Sequence, residues 1–317
     1  MSDRALARIA AAAAVATWAI IVAGGVVRVT GSGMGCPDWP KCFGQWIPPA
    51  DVAAWIEFAH RVIVMWVSPL IGFTAGLAWF KRRTLPGVWP PAAAAFVLLT
   101  VQIGLGAVTV LTRNRADTVT AHLVVALAII GALTVVAVRA GSAAAGAAGS
   151  VGAHADRTPL GSAWTGRILV GLALAAAFVG SLVQTSNGGF ACPDLPLCGG
   201  AWWPAGWPAQ AHVLHRLLVV GLGIAVAAAV VPARRSGDGR RRRWAGAVAL
   251  LYALQFAVGA GQVVLGMPTV LRGLHLALGA AFWAAAVGLA ALPGGAPAAR
   301  AAEPTPATMG EPAGAPL

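Results

Sequence analysis

Apolar residues run through this chain in eight long blocks, at roughly 9–27, 59–80, 92–111, 119–138, 164–183, 213–232, 245–266 and 273–292. Each block approaches the ~20 residues that carry a helix across a bilayer. Polar interruptions are few; the clearest are Gln102 and Gln255, in the third and seventh blocks. The segments between blocks collect Pro, Gly, Trp and basic residues. The pattern predicts an all-α integral membrane protein with eight transmembrane helices. The first block follows Arg4 and Arg8 and is longer than the ~7–15-residue core of a signal peptide, with no clear small-residue cleavage site behind it. It is expected to remain as an uncleaved anchor.

Composition agrees. Of 317 residues 58% are hydrophobic and 10% charged, with a mean hydropathy of +0.77, where a soluble domain carries about 25% charge. The net charge of +12 sits in short loops. With the N-terminus in the cytoplasm, most of the basic residues fall inside, among them Arg4, Arg8, Lys81, Arg82, Arg83, Arg139 and the run Arg240–Arg243. The positive-inside rule therefore favours a plasma-membrane protein with both termini cytoplasmic. The charge reads as topology and attraction to anionic membrane lipid. So scattered a distribution does not suit nucleic acid.

The second half repeats the first. CPDWPKC at Cys36–Cys42 returns as CPDLPLC at Cys192–Cys198, and these heptapeptides hold all 4 cysteines. Downstream, WIEFAHR with Glu57, His60 and Arg61 corresponds to AQAHVLHR with His212, His215 and Arg216. Gln102 precedes His122 by the same interval that separates Gln255 from His275. This is a tandem duplication of a four-helix unit, with both copies in the same orientation. The expected layout is a four-helix bundle over 1–139, a cytoplasmic Gly/Ala linker over 140–163, a second bundle over 164–292 and a compositionally disordered tail over 293–317. His154, in the linker, is expected to do nothing specific.

The topology places both cysteine loops outside, where disulfides persist. Local pairing, Cys36 with Cys42 and Cys192 with Cys198, is the economical one of the possible connectivities. Closing so short a loop stabilises by roughly 2 kcal/mol in the chain-entropy model, and a structural staple is sufficient reason for it. A four-thiolate zinc site competes, although Cys-x5-Cys is not a usual zinc spacing. The loops also carry Trp39, Trp46 and Trp55, and Trp202, Trp203 and Trp207, which suit the membrane interface and could help to lid a pocket.

His60, His122, His215 and His275 fall at about the same depth near the outer ends of even-numbered spans. An ionisable group there is a candidate functional site, against the plainer possibility of an interhelical hydrogen bond. Two histidines per unit are too few for zinc. A di-iron centre needs several carboxylates, and of 10 acidic residues only Glu57 lies at a predicted span. A haem needs two axial ligands and brings the rest of its coordination with it. The small-residue stretches GLGA, GAG and LALGA leave room for a flat macrocycle, and equally for close helix packing. Pairing His60 with His122, and His215 with His275, gives one haem site per half.

The duplicated eight-span architecture, the two Cys-x5-Cys loops, the Glu-x-x-His-Arg segment and the four histidines resemble the haem A synthase family, from about residue 15 to 292. That resemblance implies an oxidoreductase of cytochrome oxidase assembly, converting a ring methyl of haem O to a formyl group to give haem A. It implies that His60 and His122 receive haem O, that His215 and His275 hold a b-type haem, and that Glu57 is the essential glutamate. Haem O synthase is then the expected haem donor. In the second repeat His212 stands where Glu57 stands in the first, so one half alone has a carboxylate beside its site. That carboxylate could move protons, or simply pair with Arg61, its i+4 neighbour. Arg61 and Arg216 are expected to meet haem propionates, and the resemblance raises a redox role for Cys36–Cys42. Two other classes fit parts of the pattern: a di-haem electron-transfer cytochrome would not need Glu57, and a quinone-linked disulfide oxidoreductase would not need four intramembrane histidines.

Overall fold

Eight long helices are found among the described residues. The computed structural model describes residues 2–146, 161–186 and 188–293. The helices are α1 (Asp3–Val29), α2 (Val52–Phe80), α3 (Trp89–Leu111), α4 (Ala116–Gly146), α5 (Gly161–Thr185), α6 (Trp207–Arg235), α7 (Gly239–Val264) and α8 (Thr269–Ala291). Two short 3-10 turns, Pro86–Val88 and Gly188–Phe190, precede α3 and α6. All eight are long and apolar enough to cross a membrane. The expected all-α, eight-span architecture is what the structure has.

Boundaries differ from expectation in two instructive places. α2 and α6 begin a turn or more before the apolar blocks at 59 and 213. Asp51 caps α2, its carboxylate accepting the Ala54 N–H at 2.8 Å, and a proline in the first turn of α6 presets its backbone. Hydropathy registers the hydrocarbon layer, whereas these first turns carry Trp55 and Glu57, or Trp207 and His212. The second difference is α4, which remains helical to Gly146, beyond the expected linker start at 140. Arg240 of α7 reaches across to that end, donating to Ser142 Oγ at 2.7 Å and to the Gly141 carbonyl at 3.3 Å. Residues 147–160, which hold His154, and the tail beyond 293 lie outside the described residues.

Within the first half, α1 and α3 each pack against both α2 and α4; within the second, α5 and α7 each pack against both α6 and α8. The halves meet where α8 lies against α1 and α4, and α4 against α5. Lipid offers no hydrophobic drive between helices, so close approach and interhelical hydrogen bonds must hold this seam. Trp283 of α8 donates from Nε1 to the Leu127 carbonyl at 2.7 Å, and Trp18 of α1 donates to the Ala277 carbonyl at 2.9 Å. The Thr120 and Ser181 hydroxyls meet at 3.0 Å. Gly25 lets α1 close on Leu276; a Cβ there would stand 2.6 Å from Leu276 Cδ2. Large apolar side chains such as Trp66, Phe80 and Leu250 are exposed, as a lipid-facing surface requires.

Candidate functional site

Each cysteine loop is folded by its own backbone and tied to the helix that follows it. Cys36–Cys42 and Cys192–Cys198 are disulfide-bonded, and all four cysteines are buried. The sulfurs are therefore paired within each loop rather than gathered around a metal. In the first loop the Asp38 carboxylate accepts the N–H groups of Phe43 and Gly44, at 2.6 and 2.8 Å. In the second, Asp194 accepts those of Gly199 and Gly200, at 2.8 and 3.4 Å. These glycines have positive φ, +73° at Gly44 and +60° at Gly199, a region that suits glycine. The Gly44 N–H bond, chiefly, holds the Asp38 carboxyl below its ordinary range, and the Gly199 N–H bond does the same for Asp194.

The helix beneath each loop supplies the other anchor. Arg61 donates to the carbonyls of Lys41 at 2.8 Å and Asp38 at 3.1 Å, and Arg216 to those of Leu197 at 2.6 Å and Pro196 at 3.0 Å. Both arginines, expected at haem propionates, thus direct their terminal nitrogens into the loops; the Arg216 Nε is buried without a partner. The six loop tryptophans are exposed, so they anchor at the interface while cystines and arginines do the closing.

Glu57 is buried under the first loop. Its Oε1 accepts from Arg61 at 2.6 Å and its Oε2 from the Cys36 N–H at 2.9 Å. In the second half His212 fills this place, also buried, and its Nδ1–H donates to the Gly188 carbonyl at 3.1 Å. Arg216 consequently binds loop carbonyls and makes no direct ion pair among the described residues; Asp194 of the loop attracts it from a distance.

The four matched histidines share a surrounding that the residue spacing did not reveal. Each ring lies with its Cε1 edge on a glycine of the preceding helix: His60 on Gly24, His122 on Gly106, His215 on Gly180 and His275 on Gly259. A Cβ at these glycines would stand 3.2, 3.4, 2.8 and 2.8 Å from the ring. The signal was present in the sequence, since Gly24 and Gly180 repeat at the interval of the cysteines, and Gly106 and Gly259 at that of His122 and His275. In a chain with 40 glycines it could not be singled out.

The second-half pair comes together: the His215 and His275 ring centres are 6.4 Å apart and their planes cross at 77°. With metal–nitrogen bonds of about 2 Å, two imidazoles sharing one metal place their ring centres roughly 6 Å apart. The His215 Nδ1–H donates to the Ala176 carbonyl at 3.0 Å, which leaves Nε2 as the lone pair to offer. The Gln255 amide donates to His275 Nε2 at 3.2 Å. Nδ1 of His60, His122 and His275, and Oε1 of Gln102 and Gln255, are buried with no hydrogen-bond partner. Such orphaned atoms are rare in folded proteins and mark a site under unusual demand. No group of three or more metal-ligating side chains occurs among the described residues. Paired imidazoles with no further ligand fit a metal whose equatorial positions are already filled by a macrocycle.

Fold and site together define a duplicated membrane protein with eight long helices among the described residues, a histidine pair brought together at the cysteine-loop end of the second half, and two matched histidines in the first. The chain belongs to the COX15-CtaA family, described as cytochrome oxidase assembly protein, whose pattern matches residues 7–55 and 50–287. It is 30% identical over 326 residues to the heme A synthase of Paracoccus denitrificans, covering 86% of this chain and 81% of the relative. It is 27% identical over 267 residues to the heme A synthase of Halalkalibacterium halodurans, covering 81% and 86%. A third relative is the protoheme IX farnesyltransferase of Thermus thermophilus, 30% identical over 281 residues, which cover 84% of this chain but 45% of that longer protein.

Proposed function

We infer that this protein is a haem A synthase, a membrane oxidoreductase that converts the ring methyl of haem O to the formyl group of haem A. Family membership and the heme A synthase relatives support the reaction. The observation that carries the division of labour is an asymmetry between the matched halves: buried Glu57 in one, His212 in the other. In our reading His60 and His122 receive haem O, and His215 with His275 keeps a b-type haem. The bound haem iron supplies the redox chemistry. The spacing of the glycines supports the same assignment, since the backing is tighter behind His215 and His275 than behind His60 and His122. A resident group favours a close fit, and a substrate that must leave favours a looser one.

Turning a methyl into a formyl group adds oxygen and releases protons as well as electrons. In this reading Glu57 handles those protons. Each of its oxygens accepts one hydrogen bond from Arg61 or Cys36 and keeps a second lone pair. The Cys36–Cys42 loop positions the buried carboxylate through the Cys36 N–H. The cysteine loops face outward in this reading and both termini face the cytoplasm, as the basic residues at the opposite helix ends favour. Haem O synthase is the proposed donor, supported by a protohaem farnesyltransferase relative that carries a stretch similar to this chain within a longer protein. Co-expression with a source of haem O, followed by chromatography of the extracted haems, tests the reading. It fails if haem O is left unchanged while the protein is folded in the membrane.

A further inference from the structure

Where α1 and α8 meet at the cysteine-loop end, two arginines share one place with no acid between them. Val29 of α1 packs 3.8 Å from the position a Cβ on Gly273 would take, which brings Arg28 and Arg272, one residue before each, to the same seam. Arg28 is half-buried, its Nε has no hydrogen-bond partner, and it pairs with no carboxylate among the described residues. Arg272 is steadied from one side only. The Gln184 amide oxygen accepts from its Nη2 and Nε at 2.6 and 2.9 Å, and the Phe190 ring lies 5.8 Å away. Two neighbouring guanidinium groups in a partly dry seam repel, so their juxtaposition calls for an anion. The duplication does not explain them. The matching positions hold Gln184 for Arg28 and Val119 for Arg272, so the pair occurs once, with one arginine from each half.

The register says what the anion is. Arg272 lies one helical turn before His275 on α8, on the same face, and its side chain leans toward the helix N-terminus, away from the ring. Arg28 lies one turn beyond Gly24, the glycine behind His60, so it stands on the first-half side of this seam and meets Arg272 from there. We propose that Arg28 and Arg272 form a clamp for the propionate carboxylates of the haem held by His215 and His275, with Arg28 reaching across from the N-terminal half. The clamp rests on the haem assignment above and supplies the anchoring first expected of Arg61 and Arg216. It also ties haem occupancy in one half to the docking of the other. A lipid phosphate shares the chemistry of a carboxylate, and the experiment separates them.

The full-length protein, stripped of haem in a zwitterionic detergent, is titrated with protohaem and with its dimethyl ester. The wild type should prefer the free acid by roughly tenfold or more, a modest difference on the affinity scale. Arg28→Gln and Arg272→Gln should each lose most of that preference and keep a low-spin spectrum, because the axial histidines are untouched. In both, the haem midpoint potential should fall, since a positive charge that favours the reduced state has gone. Equal binding of acid and ester by the wild type, with a low-spin spectrum, overturns the clamp. So does an effect confined to Arg272→Gln. Loss of the preference on adding phosphatidylglycerol would assign the site to a lipid headgroup instead. Absence of any low-spin haem in the wild type would defeat the haem assignment itself, a separate result.

Discussion

At the scale of single residues, Glu57 and His212 are the informative pair, because the same fold presents a carboxylate in one copy and an imidazole in the other. Glu57→Gln keeps the shape and an acceptor for the Cys36 N–H. Arg61 retains its bonds to the loop carbonyls, so the loss of one charge-assisted bond should cost about 1–3 kcal/mol and leave the protein folded. Haem A production by this variant should drop to little or nothing while the second-half haem stays bound; His212→Gln should be far milder. Near-normal haem A from Glu57→Gln, measured by chromatography, would make the carboxylate structural. The glycines make a second residue-scale case. Alanine at Gly180 or Gly259 would place a methyl 2.8 Å from a ligand ring, closer than real contacts allow, so the ring must move. Each variant should purify with markedly less low-spin haem than Gly106→Ala, where the contact is an ordinary 3.4 Å.

At the scale of elements, the two loops are the same device built twice: a cystine, an aspartate bonded to backbone N–H groups beyond it, and an arginine from the helix below. Thiol labelling of the denatured protein should find almost no free thiol before reduction, and digestion should recover 36–42 and 192–198 cystines; a cystine joining the two loops would contradict the fold. The aspartates add a pH dependence of known sign. Because the folded loop holds Asp38 and Asp194 below their ordinary values, their contribution is complete above the unfolded value of about 4 and fades as pH falls through the depressed one. The protection of the Phe43, Gly44 and Gly199 amides, taken relative to the intrinsic exchange rate at each pH, should therefore fall in acid, and Asp38→Asn should remove that response at the first loop. Much of this was legible beforehand. The repeat, the cystine pairs and the four histidines stand out because Cys and His are scarce in this chain. The loop carbonyls bound by Arg61 and Arg216 were not legible, because a sequence shows a guanidinium beside a candidate ligand without the backbone folded over it. The helix starts at 52 and 207 were missed because interfacial turns are too polar for a hydropathy window, though Asp51 was a readable cap.

At the scale of the whole molecule, duplication gives two matched sites, one in each half, and the halves join where α8 lies against α1 and α4. Trp283 and Trp18 fix that seam with indole-to-carbonyl bonds. The halves should then respond independently to loss of an axial ligand. His215→Ala or His275→Ala leaves one imidazole where two are needed, and its partner cannot move far, since Ala176 holds His215 by its Nδ1 and Gln255 contacts His275. Either variant should purify without the low-spin haem of the second half. His60→Ala and His122→Ala should instead abolish haem A formation and keep that haem, because their contacts with Gly24 and Gly106 belong to the first half. Absorption spectra of the four purified variants, set beside haem extracts from the same membranes, check both statements. Full low-spin haem in both His215→Ala and His275→Ala would remove the second-half assignment; loss of that haem in His60→Ala would show that the two sites do not act apart.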